Sequence, residues 1–339
     1  MNENIFFGSL ARVSDLESRE FECEPIPRKQ WEPGDYVVGT ITVPRGGLSS
    51  IELTSGRVIR PVTGDLLLGA LGVRHATLEV VGSHEAVGND LRMELLSASG
   101  LLGRSTSVSG VLPSLMQVDY RGHAIRGGQK LNMADFAKHP EVEEGYDVPT
   151  ILIVGTSMSA GKTTSAKIII RQLKQAGLRV VGTKLTGTGR YRDTLAMSDA
   201  GADAIYDFVD VGLPTSVLDP ERYRPHLRDL LGIIAEARPD VVVAEAGASP
   251  LEPYNGEVVL DELGKAVSFT VLCASDPYAV VGVMRGYDVI PNLVAGVATS
   301  TSAGVELVEK LSGARALNLL DAESIPELRD MLTAAVPTD

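Results

Sequence analysis

Gly155-Thr156-Ser157-Met158-Ser159-Ala160-Gly161-Lys162-Thr163-Thr164 is the stretch on which the fold turns. It follows the apolar run Ile151-Leu152-Ile153-Val154 and leads into Lys162 to Ala176, whose pattern predicts a helix ended by Gly177. A glycine just past the last turn accepts a left-handed backbone at little cost. A buried strand, a loop holding Gly-Lys-Thr, and then a helix make the setting of a phosphate loop. Loop N–H groups and the helix N-terminus form a nest for anions. Lys162 offers a cation to the β- and γ-phosphates, Thr163 a hydroxyl to Mg2+, and Gly161 a backbone that phosphate can approach. The expected cofactor contacts are Gly155, Thr156, Ser157, Ser159, Ala160, Gly161, Lys162, Thr163 and Thr164, with Lys162 also catalytic. Five residues separate Gly155 from Gly161, against four in the standard motif.

Downstream, strands and helices alternate, the signature of an α/β domain with a largely parallel sheet. Strands read at Arg179 to Gly182, Ala204 to Val209, Val241 to Ala244, Phe269 to Cys273, Leu293 to Ala298 and Ala316 to Leu319. Helices fit at Arg222 to Ala237, Ala279 to Tyr287, Ala303 to Leu311 and Ile325 to Ala335. Glu245 ends an apolar strand and precedes Gly247, where a metal-binding carboxylate of the Walker-B type is expected. Lys184 ends a neighbouring strand, within reach of the same crevice, and Arg190 and Arg192 are candidate clamps for a carboxylate or phosphate.

Upstream the pattern changes. Tyr36 to Val43, Ala76 to Val81, Leu91 to Leu95 and Met116 to Tyr120 read as short strands, with Arg121-Gly122-His123 as a turn. Ser50 to Leu53 and Arg57 to Arg60 flank Thr54-Ser55-Gly56 as a hairpin. The expectation is a small, mostly antiparallel β-domain, partly closed into a barrel, at 1–136. An acidic, Pro-bounded linker follows at 137–149, and the P-loop α/β domain fills 150–339.

Composition narrows the partners. Lys and Arg number 31 against 44 Asp and Glu, a net charge of −13 that disfavours nucleic acid and anionic membranes. A small-molecule acid or amino acid suits this balance, with a homo-oligomer as the expected assembly. Two cysteines make no disulfide framework, and Cys273 reads as a small buried hydrophobe. The five histidines have no metal-ligand spacing. No signal peptide or membrane span is visible, so the expected location is the cytoplasm. No Asn-Lys-x-Asp guanine motif follows the later strands. Adenine is the default base, near Thr299 and Ser300.

The five-residue spacer before Gly-Lys-Thr resembles that of dethiobiotin synthetases. Gly182-Thr183-Lys184-Leu185-Thr186-Gly187-Thr188-Gly189 is similar to that family's strand-two Lys and Thr-Gly segment. Arg192-Asp193-Thr194-Leu195-Ala196 resembles its Asp-bearing segment, and Pro239 to Ala248 its strand ending in Glu. The resemblance implies Mg2+ held by Thr163, Asp193 and Glu245, with Lys184 attending substrate and phosphate and Thr186 beside it. Gly201 to Val209, with Glu245 to Pro250, also resembles the P-loop domain of D-glutamate N-acetyltransferases, which act with acetyl-CoA. The two resemblances cover roughly residues 150 to 300.

Three functions follow from these readings. The first is an ATP- and Mg2+-dependent kinase or ligase acting on a small carboxylate or amino acid, with Lys162 and Lys184 catalytic. The second is an N-acetyltransferase that binds acetyl-CoA on the loop and acts on a D-amino acid such as D-glutamate. The third is a nucleotide-binding switch or interaction protein. If the strand ends converge, Lys162, Thr163, Lys184, Asp193 and Glu245 surround one crevice floored by the loop.

Overall fold

The computed structural model describes residues 5–43, 50–142 and 145–336. Residues 143 and 144 of the expected linker lie outside them. The chain forms two compact units. One comprises Met1–Lys138 with Thr188–Arg192 and Phe208–Val217; the other comprises His139–Gly187, Asp193–Asp207 and Leu218–Asp339.

In the first unit the strands are β1 (Ile5–Phe7), β2 (Glu22–Glu24), β3 (Tyr36–Val43), β4 (Ile51–Glu52), β5 (Val58–Ile59) and β6 (Leu66–Leu71). They continue with β7 (Val73–His75), β8 (Val80–Ser83), β9 (Arg92–Ser97), β10 (Leu101–Val108), β11 (Gln117–Arg126) and β12 (Gln129–Lys130). β6 pairs with β3, β3 with β11, β11 with β9 and β9 with β10, all antiparallel. A parallel pairing of β10 with β6 then closes a five-stranded barrel. Side chains alternate across a strand, so every second residue points inward. Val37 and Ile41, Leu67 and Leu71, Met93 and Leu95, Leu102 and Val118 accordingly share one core. Each such burial stabilises by roughly 1.5–3 kcal/mol. Closure requires Gly69, because a Cβ there would lie 2.2 Å from the Gly100 carbonyl oxygen.

The β4–β5 hairpin forms as its sequence predicts, with Gly56 at φ +79° in its tip. Arg121-Gly122-His123 is not a turn but lies inside β11. β2 pairs antiparallel with β11 beside it, and a Cβ on Gly122 would sit 2.8 Å from the Cys23 Sγ. That glycine marks a close approach within a strand.

In the second unit the chain runs β13 (Thr150–Gly155), α1 (Lys162–Gln175), β14 (Val180–Thr186), α2 (Tyr191–Asp199), β15 (Ala204–Asp207), α3 (Pro220–Glu236) and β16 (Val241–Ala246). It continues through α4 (Gly256–Leu263), β17 (Val267–Cys273), α5 (Pro277–Tyr287), β18 (Leu293–Ala295), α6 (Ser302–Ser312) and α7 (Ile325–Ala335). The strand order is β15-β14-β16-β13-β17-β18, parallel throughout. α2 and α4 go beyond the helices read from sequence. Ala316 to Leu319 forms no strand; Ala316 makes only an isolated bridge to Val294. The chain passes from β13 to one side and later crosses to the other, which opens a crevice at the carboxyl end of β13.

Candidate functional site

The phosphate loop joins β13 to α1 and is braced from behind by two neighbouring strand ends. Thr156 N–H donates to the Cys273 carbonyl at 3.0 Å, and Ser275 N–H donates to the Thr156 hydroxyl at 3.0 Å. Val297 N–H donates to the Ala160 carbonyl at 3.3 Å. Gly161 enters α1 at φ +102°, a conformation glycine adopts without strain. Gly296 lies against the loop so closely that a Cβ on it would come within 2.1 Å of the Ala160 oxygen.

Lys162, the first residue of α1, folds back over Gly155. Its ammonium donates to the Ser157 carbonyl at 2.8 Å. A Cβ on Gly155 would meet the Lys162 Cδ at 2.8 Å and Nζ at 2.9 Å, so the first glycine makes room for the lysine. Burial pulls the Lys162 ammonium below the usual lysine range, opposed by the charge of Glu245.

Thr163, one residue on, donates its hydroxyl to Glu245 at 3.1 Å. Glu245 is buried near the end of β16, in register with Ile153 of β13 and Lys184 of β14. Burial raises its carboxyl above the ordinary range, partly offset by Lys184 and Lys162. The oxygen spacing suits Mg2+: adjacent ligands of an octahedron with bonds of about 2.1 Å lie ~3.0 Å apart. Among the described residues no group of three or more His, Cys, Asp or Glu is placed to hold a metal ion. A nucleotide-bound Mg2+ does not need one, because phosphates and waters complete its shell around one or two carboxylates.

Lys184 forms an ion pair with Asp193 of α2 at 2.5 Å. Burial alone would depress its pKa, but Asp193, Glu245 and Asp207 together raise it above the ordinary lysine value. Lys162, Thr163, Lys184, Asp193 and Glu245 thus interact as one cluster at the carboxyl ends of the strands. Asp207 joins them: it ends β15, is buried, and sits in register with Lys184. Sequence reasoning passed over it, although its place at the end of a strand beside the Lys184 strand was the available signal.

The remaining expected residues have other surroundings. Thr186 is buried and donates its hydroxyl to the Gly247 carbonyl at 3.0 Å. Thr164 is exposed on α1 and lines a cavity of about 490 Å3 with Lys167 and Arg171. Ser159 is exposed and Ala160 buried. Arg190 and Arg192 belong to the first unit, where the Glu52 carboxylate accepts from the backbone N–H of Tyr191 and Arg192. Cys273 is buried as expected and donates to the Ser165 hydroxyl, with burial pushing its thiol up to about 11.

The sheet is parallel, the loop sits at the end of its central strand β13, and a Lys-Thr pair faces a strand-end carboxylate. The fold is that of a P-loop NTPase, preceded by a β-barrel.

Among solved structures, the chain is similar to the hydrogenase maturation factor HypB from Archaeoglobus fulgidus, at 16% identity and a TM-score of 0.39. That match covers 56% of this chain and 91% of that one. It is similar to the signal recognition particle receptor FtsY from Elizabethkingia anophelis, at 15% identity and a TM-score of 0.37, over 59% and 68% of the two chains. A DUF1611-family protein from Anabaena variabilis matches at 16% identity and a TM-score of 0.37, over 62% and 65%. At scores of this size the strand order and loop geometry, and not the likeness, define the fold. No protein-family model and no curated protein matches the sequence. Among the described residues no helix is long and apolar enough to cross a membrane.

Proposed function

We propose that the second unit binds ATP with Mg2+ on the phosphate loop and transfers the terminal phosphoryl group to a small carboxylate or amino acid, as a kinase or ligase does. The observation that carries this reading is the 3.1 Å contact between Thr163 and Glu245, which presents two oxygens at the spacing a hard divalent cation requires. Mg2+, when bound, would neutralise charge between the β- and γ-phosphates. Lys162 neutralises the same oxygens from the loop side, in a buried position where its charge acts strongly. Lys184, held by Asp193, orients the incoming acid near the phosphate. Coenzyme A would use the loop for a pyrophosphate and would not need the Thr163–Glu245 pair, so that pair favours the metal nucleotide.

The test is ADP release from ATP by the purified full chain, with and without Mg2+, across a panel of small carboxylates and amino acids. Mg2+-dependent release stimulated by one class of acid, and lost in Lys162→Ala, is the expected result. Binding of acetyl-CoA with no response to ATP and Mg2+ would overturn the reading.

A further inference from the structure

The backbone donors of the phosphate loop divide into those spent on protein and those left over. Thr156 N–H donates to the Cys273 carbonyl at 3.0 Å, and Ala160 N–H to the Ser157 carbonyl at 3.4 Å. The N–H groups of Ser157, Ser159 and Gly161 have no partner among the described residues. The side chain of Thr156 is committed as well. Its oxygen accepts from the Ser275 N–H at 3.0 Å, and its O–H donates to the Ser275 hydroxyl at 3.3 Å. The Ser275 hydroxyl donates in turn to the Asp276 carboxylate at 3.0 Å. Asp276 caps α5 by accepting from the Tyr278 and Ala279 N–H groups, each at 3.0 Å. The direction of this chain follows from its end. An ionised carboxylate only accepts, so Ser275 donates to Asp276 and its oxygen is left to accept from Thr156. The Ala279 N–H above all, with the Ser275 hydroxyl and the Tyr278 N–H, outweighs burial and holds the Asp276 carboxyl below the usual aspartate range.

We propose that Thr156, Ser275 and Asp276 are positioning residues that fasten the phosphate loop to the end of β17 and the first turn of α5, with neither hydroxyl touching the nucleotide. The phosphate cradle is then built from the free N–H groups of Ser157, Ser159 and Gly161. A loop held in shape before binding has less freedom to lose when the ligand arrives, so the relay strengthens binding without contacting the ligand. The assignment rests on the reading of the loop as a nucleotide site, and it goes beyond that reading by removing Thr156 from the ligand contacts.

Calorimetric titration of the full chain with ADP, Mg2+-ATP and pyrophosphate tests the relay in wild type and variants. Thr156→Val and Ser275→Ala should each weaken all three ligands by the same factor, about fivefold, as expected for one neutral hydrogen bond. The double variant should lose clearly less than the product of the two, because both changes break the same Thr156–Ser275 bond. Thr156→Ser keeps the hydroxyl and should restore wild-type affinity. Hydrogen exchange of the ligand-free chain reads the brace without any nucleotide: Thr156→Val should speed exchange of the Ser275 amide, and Thr156→Ser should not. A chain that shows this exchange contrast but binds none of the three ligands refutes the nucleotide reading and keeps the brace. Losses that multiply in the double variant, a loss confined to Mg2+-ATP, wild-type affinity in Ser275→Ala, or a Ser275 amide indifferent to Thr156→Val would overturn the proposal.

Discussion

Gly155→Ala separates function from stability at the phosphate loop. The new Cβ would lie 2.8 Å from the Lys162 Cδ and 2.9 Å from its Nζ. Carbon–carbon contacts relax at about 3.5 Å or more, so the lysine side chain must retreat by at least ~0.7 Å. The obstacle is the far end of a flexible side chain and not backbone, and Gly155 does not have a positive φ. The fold should lose less than about 1 kcal/mol, a melting shift of roughly 2–4 °C at most. The ammonium, however, leaves its 2.8 Å hydrogen bond to the Ser157 carbonyl and, with it, the position proposed to meet phosphate. Charge-assisted hydrogen bonds contribute roughly 1.5–3 kcal/mol, so ATP affinity should fall about 10- to 150-fold. Calorimetric titration with ATP and Mg2+, beside a thermal melt of the same preparation, reads both quantities. Wild-type affinity in the variant would refute the placement of Lys162, and a large loss of stability would refute the argument that only a side chain has to move.

Gly296→Ala should behave in the opposite way. Its φ of +90° belongs to glycine, and the added Cβ would meet the Ala160 backbone oxygen at 2.1 Å, so strain of roughly 1–3 kcal/mol adds to a clash that cannot relax cheaply. Melting temperature and nucleotide binding should fall together, and a variant as stable as wild type would contradict the close packing of the loop. In the barrel unit, burial pushes the Asp35 carboxyl up, but the His123 ring 3.3 Å away and hydrogen bonds from Asn132, Lys130 and the Glu32 N–H outweigh it and hold it below the usual aspartate range. A depressed folded pKa contributes stability that is present above the unfolded value of about 3.9 and is lost as pH falls through the folded one. Asp35→Asn should therefore cost about 1–3 kcal/mol by urea unfolding at pH 7 and progressively less below pH 4; a difference independent of pH would show that the carboxylate charge contributes nothing.

The phosphate loop was legible because its signal is local: strand, glycines, lysine and helix are contiguous in the chain. Glu245 and Lys184 were legible for a related reason, since each ends an apolar strand, and β14–β16 pairing then sets them side by side. Barrel closure was not legible in full. It depends on parallel pairing of β6 with β10, a long-range contact admitted by Gly69 and Gly100 that no local pattern announces. Gly122 misled for the same reason, as turn chemistry and close approach of two strands both call for glycine. Leu293 to Ala298 read as one strand, yet β18 stops at Ala295 because Gly296 turns the backbone toward the phosphate loop. Thr188–Arg192 and Phe208–Val217 packing with the first unit likewise reflects distant contacts, so the unit to which Arg190 and Arg192 belong was not readable from their nearness in sequence to Asp193.

The central claim is that Thr163 and Glu245 hold Mg2+ against a nucleotide on the loop, and its most direct test is the Mg2+ dependence of binding. A non-hydrolysable ATP analogue would be titrated into wild type and Glu245→Gln, each with Mg2+ and with a chelator. Glutamine keeps the shape at the 3.1 Å contact with Thr163 and removes the charge. Mg2+ should tighten wild-type binding at least tenfold, about 1.4 kcal/mol, and should have little effect on the variant, whose affinity should equal that of wild type in chelator. Equal tightening by Mg2+ in both proteins, or in neither, would contradict the account.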